Sequence, residues 1–192
     1  MATPGDESTA DDVSTADEVS TADDVPTADD RSAALLLEAG ETLARAVAAA
    51  VPGWVRRCVV AELDAWGALG VGPGRDAVVR DADEAGRAAR GDVEPQLLAL
   101  ARLDVDAQST TPLSIVRGAV AYPTEVLRRA GVPARRRDPF AAERFPADVY
   151  GLVPASLAAL DPSLLDLAVA WGAAKAMAHR RRHSPPPESA PS

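Results

Sequence analysis

The sequence predicts an all-α fold: a single compact multi-helix domain with a disordered acidic N-terminal tail and a short Pro-rich C-terminal tail. Three observations carry this. Apolar residues past position 32 recur at helical spacing, and pairs of a short oxygen-bearing residue with proline punctuate the C-terminal half as helix starts. No run alternates β-branched with polar residues as a half-buried strand does.

The tail is set apart by charge and repetition. Residues 8–31 spell one hexapeptide four times: Ser-Thr-Ala-Asp-Asp-Val, Ser-Thr-Ala-Asp-Glu-Val, Ser-Thr-Ala-Asp-Asp-Val and Pro-Thr-Ala-Asp-Asp-Arg. The first 31 residues hold ten carboxylates and one arginine, a net of −9, whereas the rest holds 19 acidic and 19 basic side chains. The whole formal charge is therefore the tail. On a helix, six residues advance about 600°, so Val13, Val19 and Val25 point three different ways and build no apolar stripe. One valine in six also cannot offset roughly 1–2 kcal/mol of backbone entropy per ordered residue. The expected division is a disordered acidic tail over 1–31, a helical domain over 32–183 and a disordered Pro-rich tail over 184–192.

Within the body, Ser32 is placed to cap a first helix carrying Leu36, Leu43, Val47 and Ala50 at 3.6-residue spacing, broken by Pro52-Gly53. A second, about Trp54 to Trp66, presents Val55, Val59, Leu63 and Trp66, and ends in the glycine-rich stretch Gly67 to Gly74. Arg75 to Arg90 forms a more polar helix closed by Gly91, and Leu97, Leu98, Leu100 and Leu103 continue as an apolar one. Thr111-Pro112, Asp138-Pro139 and Asp161-Pro162 then read as starts, because the side-chain oxygen satisfies orphan N–H groups while proline occupies the first helical position without loss. Helices are expected over 112–121, 123–130, 139–144, 154–160 and 162–182. The last carries Leu164, Leu167, Val169, Trp171, Ala174 and Ala178 on or near its packed face.

Composition bounds the setting. There is no asparagine, one isoleucine (Ile115), one lysine (Lys175) and two phenylalanines, against an excess of Ala, Arg, Asp, Val, Gly and Pro, which points to a high-GC bacterial genome. Codon bias then explains the preference for arginine over lysine without any ligand. No basic region precedes an apolar one at the N-terminus, and the longest apolar stretch, Ala46 to Pro52, falls far short of the ~20 residues that span a bilayer, so a cytoplasmic protein with no membrane partner is expected.

The motifs that carry chemistry are incomplete. Cys58 is the single cysteine, set in an apolar run, and reads as a buried structural thiol. His179 and His183 have the four-residue spacing used in zinc sites, but Arg180 replaces the metalloprotease glutamate and no third histidine exists, so they read as a cationic last helical turn. Asp104 and Asp106 flank Val105 in a loop that lacks the glycine and glutamate of a calcium hand. Gly67 to Arg75 lacks the Gly-Lys-Ser/Thr ending of a phosphate loop, and there is no Gly-x-Ser-x-Gly elbow. No catalytic, metal or cofactor residue is assigned. An enzyme would need a cleft where Tyr122, Tyr150, Asp104 or Asp106 meets a guanidinium.

The arginine clusters remain. Arg128, Arg129, Arg135, Arg136 and Arg137 form one, and Arg180, Arg181 and Arg182 with Lys175 form the other. These are the candidate contacts for a polyanion or a partner, and they form one patch only if the two segments meet in space. The leading expectation is a non-enzymatic helical interaction or regulatory module whose partner is another protein. The alternative is a nucleic-acid-associated protein with the acidic tail as an intramolecular mask.

The stretch from Leu103-Asp-Val-Asp-Ala-Gln through Tyr122-Pro-Thr-Glu-Val-Leu and Asp138-Pro-Phe to Ala170-Trp-Gly-Ala-Ala-Lys resembles uncharacterised proteins of high-GC actinobacteria. The resemblance covers about residues 103–183 and implies a bacterial, cytoplasmic protein. It transfers no site, and the acidic repeats lie outside it.

Overall fold

The computed structural model describes residues 27–67 and 74–183. The disorder expected of residues 1–26 and 184–192, and the glycine-rich residues 68–73, lie outside the described residues. The described chain is all-α: α1 (Ala28–Gly67), α2 (Arg75–Arg102), α3 (Pro112–Gly118), α4 (Ala121–Arg129), α5 (Pro139–Arg144) and α6 (Leu164–His183), with a single 3-10 turn at Leu157–Ala159.

Helix α1 begins earlier than expected, inside the fourth acidic repeat. The Thr27 hydroxyl accepts from the Asp30 backbone N–H at 3.1 Å, and the Asp30 carboxylate accepts from the Thr27 N–H at 2.9 Å and hydroxyl at 2.7 Å. This reciprocal box satisfies two donors at the open end of the helix. Those bonds also hold the Asp30 carboxyl below the usual carboxylate range. The first helix, expected to be capped at Ser32, therefore begins at Ala28 with Thr27 as its cap. Ser32 is not a cap: it is buried one turn in and donates its hydroxyl to the Ala28 carbonyl at 2.9 Å.

The Pro52-Gly53 pair does not break the helix, which runs 40 residues with Pro52 inside it. Leu43, Val47, Val51, Val55, Val59 and Leu63 are buried at a steady four-residue step on both sides of the proline. Proline within a helix costs about 3 kcal/mol, chiefly through the missing N–H and ring crowding. A second long helix lying alongside offsets that cost over the whole length. Helix α2 likewise runs on through Gly91 and Pro95, with Val78, Ala82, Gly86, Ala89, Val93, Leu97 and Leu100 buried in unbroken 3.6-residue register. The two expected helices on either side of Gly91 are one.

These helices form an antiparallel pair: Arg102 meets Glu41 at one end, Arg56 meets Asp83 at mid-length, and Arg75 meets Asp64 at the other end. They approach closely at Gly86, where a Cβ would lie 2.9 Å from the Pro52 Cα. Only glycine permits that contact.

Helix α6 lies antiparallel on the N-terminal half of α1. The Trp171 ring covers Gly40, while Arg57 in the C-terminal half of α1 donates to the Leu160 carbonyl just before α6. Helices α3 and α4 pack across the other side, with Thr111 and Asp138 capping α3 and α5 as expected. Asp161 organises a turn instead, accepting from the Ser163 N–H and hydroxyl, so α6 starts at Leu164. The expected helix over 154–160 shrinks to the 3-10 turn. The core divides accordingly. One cluster gathers Leu36 to Val55, Ala89 to Leu100 and Trp171, and the other gathers Val59, Leu63, Val78, Val126, Leu127, Val132 and Tyr150.

Candidate functional site

The first arginine cluster serves the irregular segment 131–153, which turns at Gly131 and Gly151, both in the left-handed region that favours glycine. Arg137 is only 11% exposed; it donates to the carbonyls of Phe145 at 3.0 Å and Ala141 at 2.7 Å, and lies 4.0 Å from the Asp148 carboxylate. Asp148, buried, accepts in turn from the N–H groups of Leu152 and Val153. Tyr150 donates its hydroxyl to the Val132 carbonyl at 2.8 Å, closing the segment on itself. Arg135 reaches the largely buried Glu62 of α1 at 2.8 Å. Arg128 and Arg129 share Glu125, whose carboxyl they hold down at about 2. Arg136 alone of this cluster has no such partner among the described residues.

The second cluster stands at the other end of α1. Arg181 donates to the Ala28 carbonyl, Arg180 to that of Ala176, and Arg182 grips both oxygens of Asp104 at 2.5 Å while lying 3.7 Å from Asp106. Arg182 holds the Asp104 carboxyl below its usual range. Arg135 is tied to Glu62 and Arg181 to Ala28, near opposite ends of the 40-residue α1, about 50 Å apart at 1.5 Å per residue. The two clusters do not meet. A groove of about 580 Å³ opens beside the second, with Leu36, Leu37 and Leu103 in its wall and Arg102, Arg181 and Arg182 around it.

Asp104 thus converges with a guanidinium, as an enzyme reading requires, but the tyrosines lie elsewhere. Tyr122 is bound to Asp92, which raises its phenol, and burial raises that of Tyr150. Cys58 is half-buried against the core, and that burial pushes its thiol up to about 11, which suppresses the nucleophilic thiolate.

Sequence reasoning missed a third side chain beside the histidines. Asp106 joins His179 and His183, with one potential ligand atom from each lying within 4.8 Å of the others. It also missed the outer face of α6. Val169, placed on the packed side by periodicity, is 71% exposed, and Leu165 and Met177 are exposed on the same helix. Between Asp166 and Lys175 this helix carries no charge, so it is apolar on both the face that covers α1 and the face turned to solvent. Such all-round apolarity belongs to a helix covered on every side. The signal was in the sequence, in the absence of any polar stripe.

No helix of the described residues is long and apolar enough to cross a membrane. Comparison of the chain with protein-family models, curated proteins and solved structures finds no match.

Proposed function

We propose that this protein is a non-enzymatic helical interaction module that engages another protein chain through the outer face of α6, in the cytoplasm of a high-GC bacterium. The observation that carries the reading is the solvent-facing row Leu165, Val169, Ala173 and Met177, stepped by four residues on a helix with two charge-free turns. Contiguous exposed apolar surface is the usual mark of a protein contact, since a solvated helix face is otherwise polar. A helix laid along it would find anchors at successive turns. The alternative, a nucleic-acid-associated protein with its tail as a mask, rests on one continuous basic patch, and the separation of the clusters supports the protein-binding reading over it.

Affinity capture from host cytosol with the wild-type chain and with Val169→Glu/Met177→Glu tests the proposal. A protein retained by the wild type and lost with the double variant is expected, because the changed side chains are exposed and the fold does not depend on them. Identical capture by both chains refutes it, as does duplex-DNA binding that outcompetes any protein partner.

A further inference from the structure

We propose a divalent transition-metal site of the borderline, zinc-like class at the end of α6, built from His179, His183 and Asp106. The two histidines are one helical turn apart with rings stacked at 4.3 Å between centroids, and one ring nitrogen of each lies within 4.8 Å of the other and of an Asp106 oxygen. A turn between α2 and α3 brings the carboxylate: the Asp106 N–H donates to Asp104 Oδ1 at 3.0 Å, and Arg182 holds Asp104 in place. Asp106 then divides its two oxygens. Oδ2 lies 3.7 Å from Arg182, and Oδ1 lies 3.8 Å from His179 Nε2.

That last distance is too long for a hydrogen bond and close to the separation of two atoms sharing one ion. Bonds of about 2.0–2.1 Å in a tetrahedral site set its ligands roughly 3.4 Å apart. A second observation concerns the tautomer of His183. Its Nδ1 lies 3.0 Å from the His179 carbonyl oxygen, which can only accept, so in the neutral ring the proton sits on Nδ1 and the lone pair on Nε2. A ring nitrogen held by a backbone carbonyl while the other is left basic is the usual supporting arrangement of a metal-bound histidine. All three side chains are exposed, so a shift of an ångström to close on an ion meets little resistance.

Charge does not forbid the ion. The two carboxylates Asp104 and Asp106 outnumber Arg182, the guanidinium they both face, while Arg180 and Arg181 donate to the carbonyls of Ala176 and Ala28 and keep their charge. Imidazole with carboxylate suits zinc and its neighbours better than calcium or magnesium, which prefer oxygen ligands throughout. Three protein ligands leave the fourth position to water. The bound ion would tie the last turn of α6 to the loop that follows α2, an end otherwise joined by exposed pairs.

Isothermal titration of the full chain with Zn²⁺, and with Mg²⁺ as a hard-ion control, tests the site. One tight equivalent of Zn²⁺ is expected, unaffected by Mg²⁺, with a raised thermal midpoint. His179→Ala, His183→Ala and Asp106→Asn should each weaken it at least about tenfold and abolish the thermal shift, while circular dichroism stays unchanged. Zinc affinity that survives loss of both histidines places the ion on the acidic repeats and overturns the proposal, as does the absence of a saturable equivalent in the wild type.

Discussion

At one end of α1, Arg137 is folded against α5 and the turn after it, where its guanidinium meets two carbonyls and the edge of a buried carboxylate. At the other, Arg180, Arg181 and Arg182 crown the last turn of α6 in solvent, touching carbonyls and two exposed aspartates. Both are runs of three arginines. The first adds a second donor to carbonyls that the backbone already engages, Ala141 from the Phe145 N–H and Phe145 from the Asp148 N–H, and so ties the end of α5 to the turn that follows it. The second stands at a helix terminus, where cations also complement the negative end of the dipole. Burial decides which arginine is structural, and sequence alone does not carry burial.

The contrast is broken most sharply at Arg137. Arg137→Ala would remove the guanidinium from the Phe145 and Ala141 carbonyls and from beside the buried Asp148 carboxylate, and loss of hydrogen bonds made by a charged group costs about 1.5–3 kcal/mol. Its neighbour Arg136, exposed and unpaired among the described residues, should tolerate alanine within about 0.5 kcal/mol. Chemical denaturation of the two variants side by side measures the difference. Equal stabilities would mean that segment 131–153 is held by Tyr150 and the backbone alone.

The same contrast explains what could be read beforehand. The four-residue step from Leu43 to Leu63 and the register from Val78 to Leu100 were both legible, and they fix the long hairpin. At Pro52 and Gly91 a breaker outranks an uninterrupted apolar period in the sequence reading, and the structure reverses that order. The period wins when a second long helix runs alongside, and Gly86 opposite Pro52 is where the two were fitted to each other. Thr27 and Asp30 stand at capping-box spacing, a signal hidden in the sequence by the acidic repeat that contains them. Val169 was assigned to the packed side because a helix apolar all round offers no face to choose. The meeting of Asp106 with His179 was beyond reach, since it depends on how the end of α2 lies against the end of α6.

Arg182 gives the next smaller effect. Its contacts with Asp104 and Asp106 are exposed and screened, and pairs of this kind add little to stability. Arg182→Ala should leave the denaturation midpoint within experimental scatter. It should also let the Asp104 carboxyl, held low chiefly by that guanidinium, rise toward its ordinary range. Carbon-detected NMR of the side-chain carboxyl follows the change directly. A midpoint shift comparable to that of Arg137→Ala would mean that the two ends are built alike after all.

The smallest expected effect lies on α4, where Arg128 and Arg129 share Glu125 on an open helix face. Their hydrogen bonds hold this carboxyl at about 2 against an ordinary value of 4.5. A folded-state value lowered in this way contributes stability that is fully present above pH 4.5 and is lost as pH falls through about 2. Because the group is exposed, salt should erode the shift. Arg128→Ala and Arg129→Ala should each raise the Glu125 midpoint, and together they should restore it to near 4.5, with little change in resistance to denaturant. A wild-type Glu125 that titrates near 4.5 at low salt would show that neither arginine is held on it. Both guanidinium groups would then be free in solution, reopening this face of α4 as a polyanion contact without requiring any other part of the molecule to move.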